Sequence, residues 1–141
     1  DGGQSYLFVN DGKGGFDEQH SVGPSRTATR AVALGDLDSD GLLDIIVGDG
    51  VEGGVRLYIN RGDASFEESR MIGARGDRVF ALAVADVDGD GDLDIVTVSM
   101  IADWGRRDRF SIICFEQVAP RNFRPASSLI YEFIRVYFDG A

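Results

Sequence analysis

Apolar residues occur in short runs that return along the chain after fifty residues. Residues 7–10 (Leu-Phe-Val-Asn) return as 57–60 (Leu-Tyr-Ile-Asn), and residues 43–47 (Leu-Asp-Ile-Ile-Val) return as 93–97 (Leu-Asp-Ile-Val-Thr). No gap is needed to align the copies. Self-similarity at a fixed interval of this size is typical of proteins built from repeated structural units.

Within each copy the pattern predicts β-strands. Small and large residues alternate over 29–35 and again over 79–85, which is the period of two expected for a strand. Residues 44–48 and 94–100 form continuous apolar runs, which indicates strands buried on both faces. Two further strands are predicted at 55–60 and 65–69, with earlier copies at 5–9 and 15–19. No segment has a helical period, so the predicted fold class is all-β.

Gly and Asn separate the predicted strands. Asn10–Gly12 and Asn60–Gly62 occupy equivalent positions between two strands, where a hairpin turn needs residues that tolerate a positive φ. The chain is therefore expected to run up and down between neighbouring strands.

The repeat weakens after residue 101. A polar insertion covers Ala102–Arg109. Beyond it, Cys114-Phe115 and Phe123 align with Leu7-Phe8 and Phe16 if about seven residues have been inserted. We expect a third copy of the hairpin here.

Acidic residues are concentrated in two short segments. The chain has 24 acidic and 14 basic residues, a formal charge of −10, and nine of the acids lie in 36–44 and 86–94. This charge disfavours nucleic acid and anionic membrane surfaces as partners. No apolar run approaches the ~20 residues of a membrane-spanning helix, so membrane insertion is not expected.

Each acidic segment has Asp at its first, third, fifth and ninth positions and Gly at its sixth. Alternate carboxylates converge on one point when such a loop curls, and a cation offsets their repulsion. Oxygen ligands without His or Cys favour calcium over zinc or copper, and magnesium fits less well because it needs a tight octahedron. An EF-hand is excluded, because its twelfth position needs a chelating Glu between helices, whereas Val47 and Thr97 stand in strand-like runs. Two calcium sites are predicted.

Three segments resemble a known family. Residues 33–47, their copy at 83–97, and the hairpin at 57–67 are similar to the FG-GAP or VCBS-type repeats of integrin-α-like β-propellers. The resemblance implies that each repeat forms one four-stranded propeller blade with a calcium loop between its first and second strands. The metal ligands that it implies are Asp36, Asp38, Asp40, Leu42 (backbone), Asp44, Asp86, Asp88, Asp90, Asp92 (backbone) and Asp94.

The same resemblance divides the chain into units. Residues 1–28 are expected to form a half blade with only the third and fourth strands, 29–78 a blade with the first calcium loop, and 79–128 a blade with the second loop and the polar insertion. Residues 129–141, which include the apolar run 130–138, are expected to begin a further unit. A propeller closes with four to eight blades, so either the chain is a fragment or several chains complete the ring as a homo-oligomer.

The function that the resemblance implies is an interaction or adhesion scaffold, extracellular or on the cell surface, with a protein or glycan partner. Extracellular calcium modules bind at about 10⁻⁴–10⁻³ M, which agrees with this placement. Catalysis is not expected, because His20, the only histidine, is better explained as a surface loop residue, and carboxylates that hold a metal are not free to act as acid and base. Two alternatives stay open: a propeller part, catalytic or not, of a secreted enzyme acting on polysaccharide, and a repeat fragment that self-assembles into a ring.

Overall fold

The computed structural model describes residues 3–101 and 109–126, and these residues form strands and turns without any helix. No helix of the described residues is therefore long and apolar enough to cross a membrane. The strands are β1 (Gly3–Val9), β2 (Glu18–Thr27), β3 (Thr29–Gly35), β4 (Asp44–Asp49), β5 (Val55–Asn60), β6 (Phe66–Glu68), β7 (Asp77–Ala85), β8 (Asp94–Ile101), β9 (Arg109–Ala119) and β10 (Asn122–Pro125).

The strands form three antiparallel sheets. Strands β1 and β2 form a two-stranded hairpin, β3 to β6 form a four-stranded sheet in chain order, and β7 to β10 form a second four-stranded sheet in chain order. Each four-stranded sheet is a meander, in which every strand pairs with the next one along the chain. The all-β prediction is confirmed, and the sheets have the form of propeller blades, so they are called the first and second blade below.

One strand position was predicted wrongly. The strand expected at 15–19 begins only at Glu18 and continues to Thr27. The cause lies in the preceding turn, where the Asp11 carboxylate accepts the backbone N–H groups of Lys13 and Gly15 at 2.7 and 2.9 Å. These bonds keep the chain in a loop, and the pairing of β1 with β2 is displaced by one residue from the pairing of β5 with β6.

The expected third copy of the hairpin is confirmed by the strand pairing. Cys114 lies opposite Val96 as Leu57 lies opposite Ile46. Phe123 follows in β10, in the strand that corresponds to β6. Most of the predicted insertion (102–108) and the predicted strand at 130–138 lie outside the described residues.

The core lies between the two blades. It contains Leu37, Ile46, Val55, Leu57, Ile59, Ile72, Val79, Ile95, Phe115 and Phe123. Glycines in the first blade allow the close approach: a Cβ on Gly35 would lie 3.0 Å from Leu93 Cδ1, and one on Gly48 would lie 2.5 Å from Val79 Cγ1. The glycines of β3 and β4 thus leave space in which the large side chains of the second blade pack.

The opposite face of the first blade is only partly covered. Val22 of the hairpin packs there with Ile45 and Tyr58 in a second apolar cluster. Val32 and Leu34, near the inner end of this face, are each 57% exposed. In the described part of the chain, no strand pairs with the second edge of β1. The hairpin therefore covers the part of this face formed by β4 and β5 and leaves Val32 and Leu34 of β3 exposed.

Candidate metal centres

Both predicted metal loops connect the first and second strands of a blade. One runs from β3 to β4 and the other from β7 to β8, so strands rather than helices flank both of them. At the sixth position of each loop, Gly41 and Gly91 have φ of +86° and +96°. The two glycines make the sharp bend that the loop pattern requires, since residues with a Cβ rarely adopt this conformation.

The last aspartate of each loop is buried and fixed by the backbone. Asp44 accepts the backbone N–H of Leu37 at Oδ2 (2.9 Å) and that of Asn60 at Oδ1 (2.8 Å). Asp94 accepts the equivalent pair of backbone N–H groups from Val87 and Gln117, both at 2.9 Å. The ninth position therefore ties the loop to the third strand of its own blade.

The first aspartate of each loop closes the bend. Asp36 accepts the backbone N–H groups of Asp40 and Gly41 at 3.1 and 2.9 Å. Asp86 accepts the N–H of Gly91 at 3.1 Å, and its other oxygen accepts the N–H of Gly89 at 2.7 Å. These bonds hold the carboxylate at the centre of the curl in both copies.

The structure brings three carboxylates together in each loop. In the first loop, one oxygen atom from each of Asp36, Asp38 and Asp40 lies within 4.8 Å of the others. In the second loop, the same limit is met by Asp86, Asp88 and Asp94. Of the other predicted side-chain ligands, Asp44 and Asp90 are not part of these groups. The expected carbonyl ligands Leu42 and Asp92 stay a prediction.

Asp38 differs from the other loop carboxylates. Its side chain is only 10% exposed, and its buried Oδ1 has no hydrogen-bond partner. Its Oδ2 lies 3.9 Å from Arg61 Nη1 and 3.7 Å from Arg121 Nε. An unpaired buried carboxylate oxygen is costly. A hard cation at this point would satisfy it, so the residues present fit a calcium ion.

Like charges crowd both loops. Burial raises the pKa of Asp44, and Asp38 and Asp40 raise it further, although the hydrogen bonds from Asn60 and Leu37 act in the opposite direction. In the second loop, loss of hydration raises the pKa of Asp88, and the negative charges of neighbouring acids add to the effect. Both shifts show carboxylates whose charge a bound cation would stabilise.

Sequence reasoning missed the two arginines beside Asp38. Arg61 lies in the turn after β5, and Arg121 lies in the turn after β9. The repeat places Arg61 at a hairpin tip, but nothing in the sequence aligns residue 121 with a loop 83 positions earlier. Only the packing of the second blade against the first brings Arg121 close to Asp38.

One apolar groove lies away from these loops. Its volume is about 440 Å³, and it runs between residues 70–74 and the outer strands of the second blade, with Phe115, Phe123 and Pro125 among its lining residues. Arg70 and Asp77 are its charged groups. The lining is mainly hydrocarbon and aromatic.

The sequence matches a family model described as an FG-GAP-like repeat, over residues 1–47 and 36–97. Each match includes the first acidic loop, and the second match also includes the other loop. No curated protein and no solved structure matches the chain significantly.

Proposed function

The chain belongs to the FG-GAP-like repeat family, and on that premise we propose that each acidic loop binds one calcium ion and that the blades form an extracellular interaction scaffold. The observation that carries the proposal is that both loops hold their first and ninth aspartates in the same way. Asp36 and Asp86 hold the sixth-position amide in both copies, and Asp44 and Asp94 are anchored in the same way.

The donor chemistry supports calcium. Each group offers only carboxylate oxygens, which are hard ligands, and lies on a curled loop from which we expect backbone carbonyls to add further oxygens. In the first loop, the unpaired Oδ1 of Asp38 is a buried oxygen that a cation would satisfy. Magnesium keeps much of its own hydration shell and demands a tighter octahedron, so we expect it to compete weakly.

Calcium would act mainly on stability. A ligand that binds only the folded state stabilises it by about 2.7 kcal/mol per site at a free concentration of ~100 times the dissociation constant. Loops of this kind in extracellular proteins bind at about 10⁻⁴–10⁻³ M, so millimolar calcium fills them and cytosolic calcium does not. This is the reason for placing the protein outside the cell or on its surface.

The fold and the family support the scaffold role. FG-GAP repeats generally serve as structural or interaction modules. We propose that the chain binds a protein or a glycan without catalysing a reaction. Calcium would hold the two acidic loops in a fixed shape, and these loops would form part of the surface that contacts the partner. A glycan array and a panel of extracellular matrix proteins, each probed in calcium and in EDTA, would identify the partner class, and binding that is equal in both solutions would count against a metal-held surface.

The metal proposal is tested by calorimetry and thermal unfolding. We expect two calcium ions per chain by isothermal titration, and a higher melting temperature in calcium than in EDTA. Asp40→Asn removes a charge but keeps the oxygen that accepts the Leu42 N–H, so the variant should fold and bind about one ion. Asp63→Asn is the matched control, because Asp63 lies at a hairpin tip and its φ of +51° suits Asn equally well. An unchanged melting temperature with and without calcium would refute the proposal.

A further inference from the structure

Two arginines from neighbouring blades approach the same oxygen of the first metal loop. Arg61 Nη1 and Arg121 Nε lie 3.9 and 3.7 Å from Asp38 Oδ2. The two residues occupy equivalent hairpin turns, after the third strand of the first blade and after the third strand of the second. The first loop therefore has positive charge from both blades at its third position.

The Arg61 side chain and the Arg121 backbone are held by other contacts. The Arg61 guanidinium donates to Glu67 Oε2 from Nε at 2.9 Å and from Nη2 at 2.6 Å. The hydrogen bond with Glu67 raises the pKa of Arg61, and Asp38 and Asp40 add to this effect. Arg121 has a φ of +62°, and its backbone N–H donates to Gln117 Oε1 at 3.3 Å. The Arg61 guanidinium is thus fixed beside Asp38, and the Arg121 backbone is fixed in the turn from which its side chain reaches Asp38.

Within the described residues, the second loop lacks this compensation. Asp88 is the repeat equivalent of Asp38, and among the residues whose side chains the structure describes no arginine or lysine forms an ion pair with any aspartate of 86–94. The nearby Glu116 adds negative charge that raises the pKa of Asp88, and Arg124, which pairs with Glu116 at 2.8 Å, forms no ion pair with the second loop. The two loops share a backbone design and differ in their electrostatic surroundings.

We propose that Arg61 and Arg121 lower the calcium affinity of the first loop below that of the second, so that the two sites fill in sequence. This inference rests on the calcium binding proposed above. The guanidinium groups neutralise Asp38 in the metal-free protein and repel a divalent ion when it enters. One unit charge near a partly solvated divalent ion changes its affinity by about three- to tenfold. Because Arg121 belongs to the second blade, filling of the first loop also depends on how the two blades pack.

The test is a calcium titration followed by ¹⁵N–¹H NMR, with one glycine amide as reporter for each loop. Gly41 N–H is bound to Asp36 and reports on the first loop, and Gly91 N–H is bound to Asp86 and reports on the second. In the unmodified protein, the Gly91 signal should reach its midpoint at a lower calcium concentration than the Gly41 signal.

Replacing the arginine should change one midpoint only. In Arg121→Gln, the Gly41 midpoint should fall by about three- to tenfold while the Gly91 midpoint stays the same. Arg61→Gln should act in the same direction, and it also removes the pair with Glu67. Arg75→Gln is the control for net charge, because Arg75 is exposed and lies in the loop between the blades, and it should leave both midpoints unchanged.

A structural readout separates charge from misfolding. In EDTA, Arg121→Gln should unfold at the same or a lower temperature than the unmodified protein, since Asp38 loses its counter-charge, whereas its gain on adding calcium should be larger. If both glycines respond to calcium and Arg121→Gln shifts neither midpoint, the inference is wrong and calcium binding stands. If neither glycine responds in any variant, the proposed function itself fails.

Discussion

The backbone N–H of Asn60 donates a 2.8 Å hydrogen bond to Oδ1 of Asp44, which joins the third strand of the first blade to the end of its metal loop. Asp44 is buried, and its second oxygen accepts the N–H of Leu37. Asp44 therefore acts as a structural acceptor for two backbone donors, whether or not a cation is bound.

This arrangement predicts that Asp44→Asn loses stability even in the absence of calcium. In Asp44→Asn, the side-chain NH₂ faces one of the two backbone donors, so that donor is left unsatisfied. We expect the free energy of unfolding to fall by about 1–3 kcal/mol in EDTA, measured by urea denaturation. Asp40→Asn is the exposed comparison and should change little in EDTA. Equal stability of the two variants would show that Asp44 is only a ligand.

The bend of the first loop predicts an order of stability among substitutions at Gly41. Its φ is +86°, and a Cβ there would meet nothing within 4 Å. Any cost of Gly41→Ala is therefore backbone strain, about 1–2 kcal/mol. Gly41→Asn should cost less, because Asn tolerates this region. Chemical denaturation of both variants measures the order, and a cost as large for Asn as for Ala would contradict it.

The contact between the blades predicts overpacking at Gly48. A Cβ on Gly48 would lie 2.5 Å from Val79 Cγ1. We expect Gly48→Ala to lower the free energy of unfolding by about 1–3 kcal/mol. Adding Val79→Ala removes the clashing methyl groups, so the double variant should lose less than the sum of the single ones. Additive losses in this double-mutant cycle would mean that the two positions do not meet.

The raised pKa of Asp88 predicts that the stability of the metal-free protein depends on pH. Its pKa is raised from 3.8, so the folded state binds its proton more tightly than the unfolded state does. The penalty for ionising Asp88 is absent below pH 3.8 and complete once the pH exceeds the folded pKa, so this group makes the protein less stable as pH rises. In EDTA, Asp88→Asn should be more stable than the unmodified protein at pH 7 and equal to it near pH 3.5.

Calcium should reverse that comparison. With the metal bound, the Asp88 carboxylate is a ligand, and Asp88→Asn should have the lower melting temperature at pH 7. Thermal unfolding in calcium and in EDTA at both pH values gives the four measurements needed. An Asn variant that is less stable in EDTA at pH 7 would contradict the raised pKa.

The burial of Cys114 predicts that its thiol is alkylated slowly in the folded protein. It is buried in the second blade, and burial raises the pKa of its thiol to about 11, with smaller effects from neighbouring acids such as Asp94. Only the thiolate is a nucleophile. At pH 8, the folded protein should react with iodoacetamide far more slowly than the protein in urea, as followed by intact mass. Equal rates in the two solutions would show an accessible thiolate.

Much of the fold follows from local sequence. The fifty-residue offset placed β3, β4, β5, β7 and β8 within one or two residues of their observed ends, because each copy has the same alternation and the same turn residues. The start of β2 could not be predicted in this way. It depends on the side chain of Asp11, which accepts hydrogen bonds from backbone N–H groups in the turn and so keeps these residues out of the strand pairing.

The site was predictable in composition and only partly in geometry. The spacing of the aspartates identified both loops, since the ligand pattern is local. It could not show that Asp44 is already held by two backbone donors, one of them sixteen residues later in Asn60. Nor could it show that Arg121 approaches Asp38, because that contact crosses from one blade to the other.

Large side chains of the second blade pack on glycines of the first blade, and this packing has a consequence for how such repeat chains can gain length. Leu82 and Val84 of the second blade pack into the shared core, and their equivalents Val32 and Leu34 have the same positions on the first. A duplicated gene segment of fifty codons would therefore carry both halves of the contact that joins it to its neighbour. This holds for a copy of residues 29–78, which includes Gly35 and Gly48, whereas the second blade has Ala85 and Val98 at those positions.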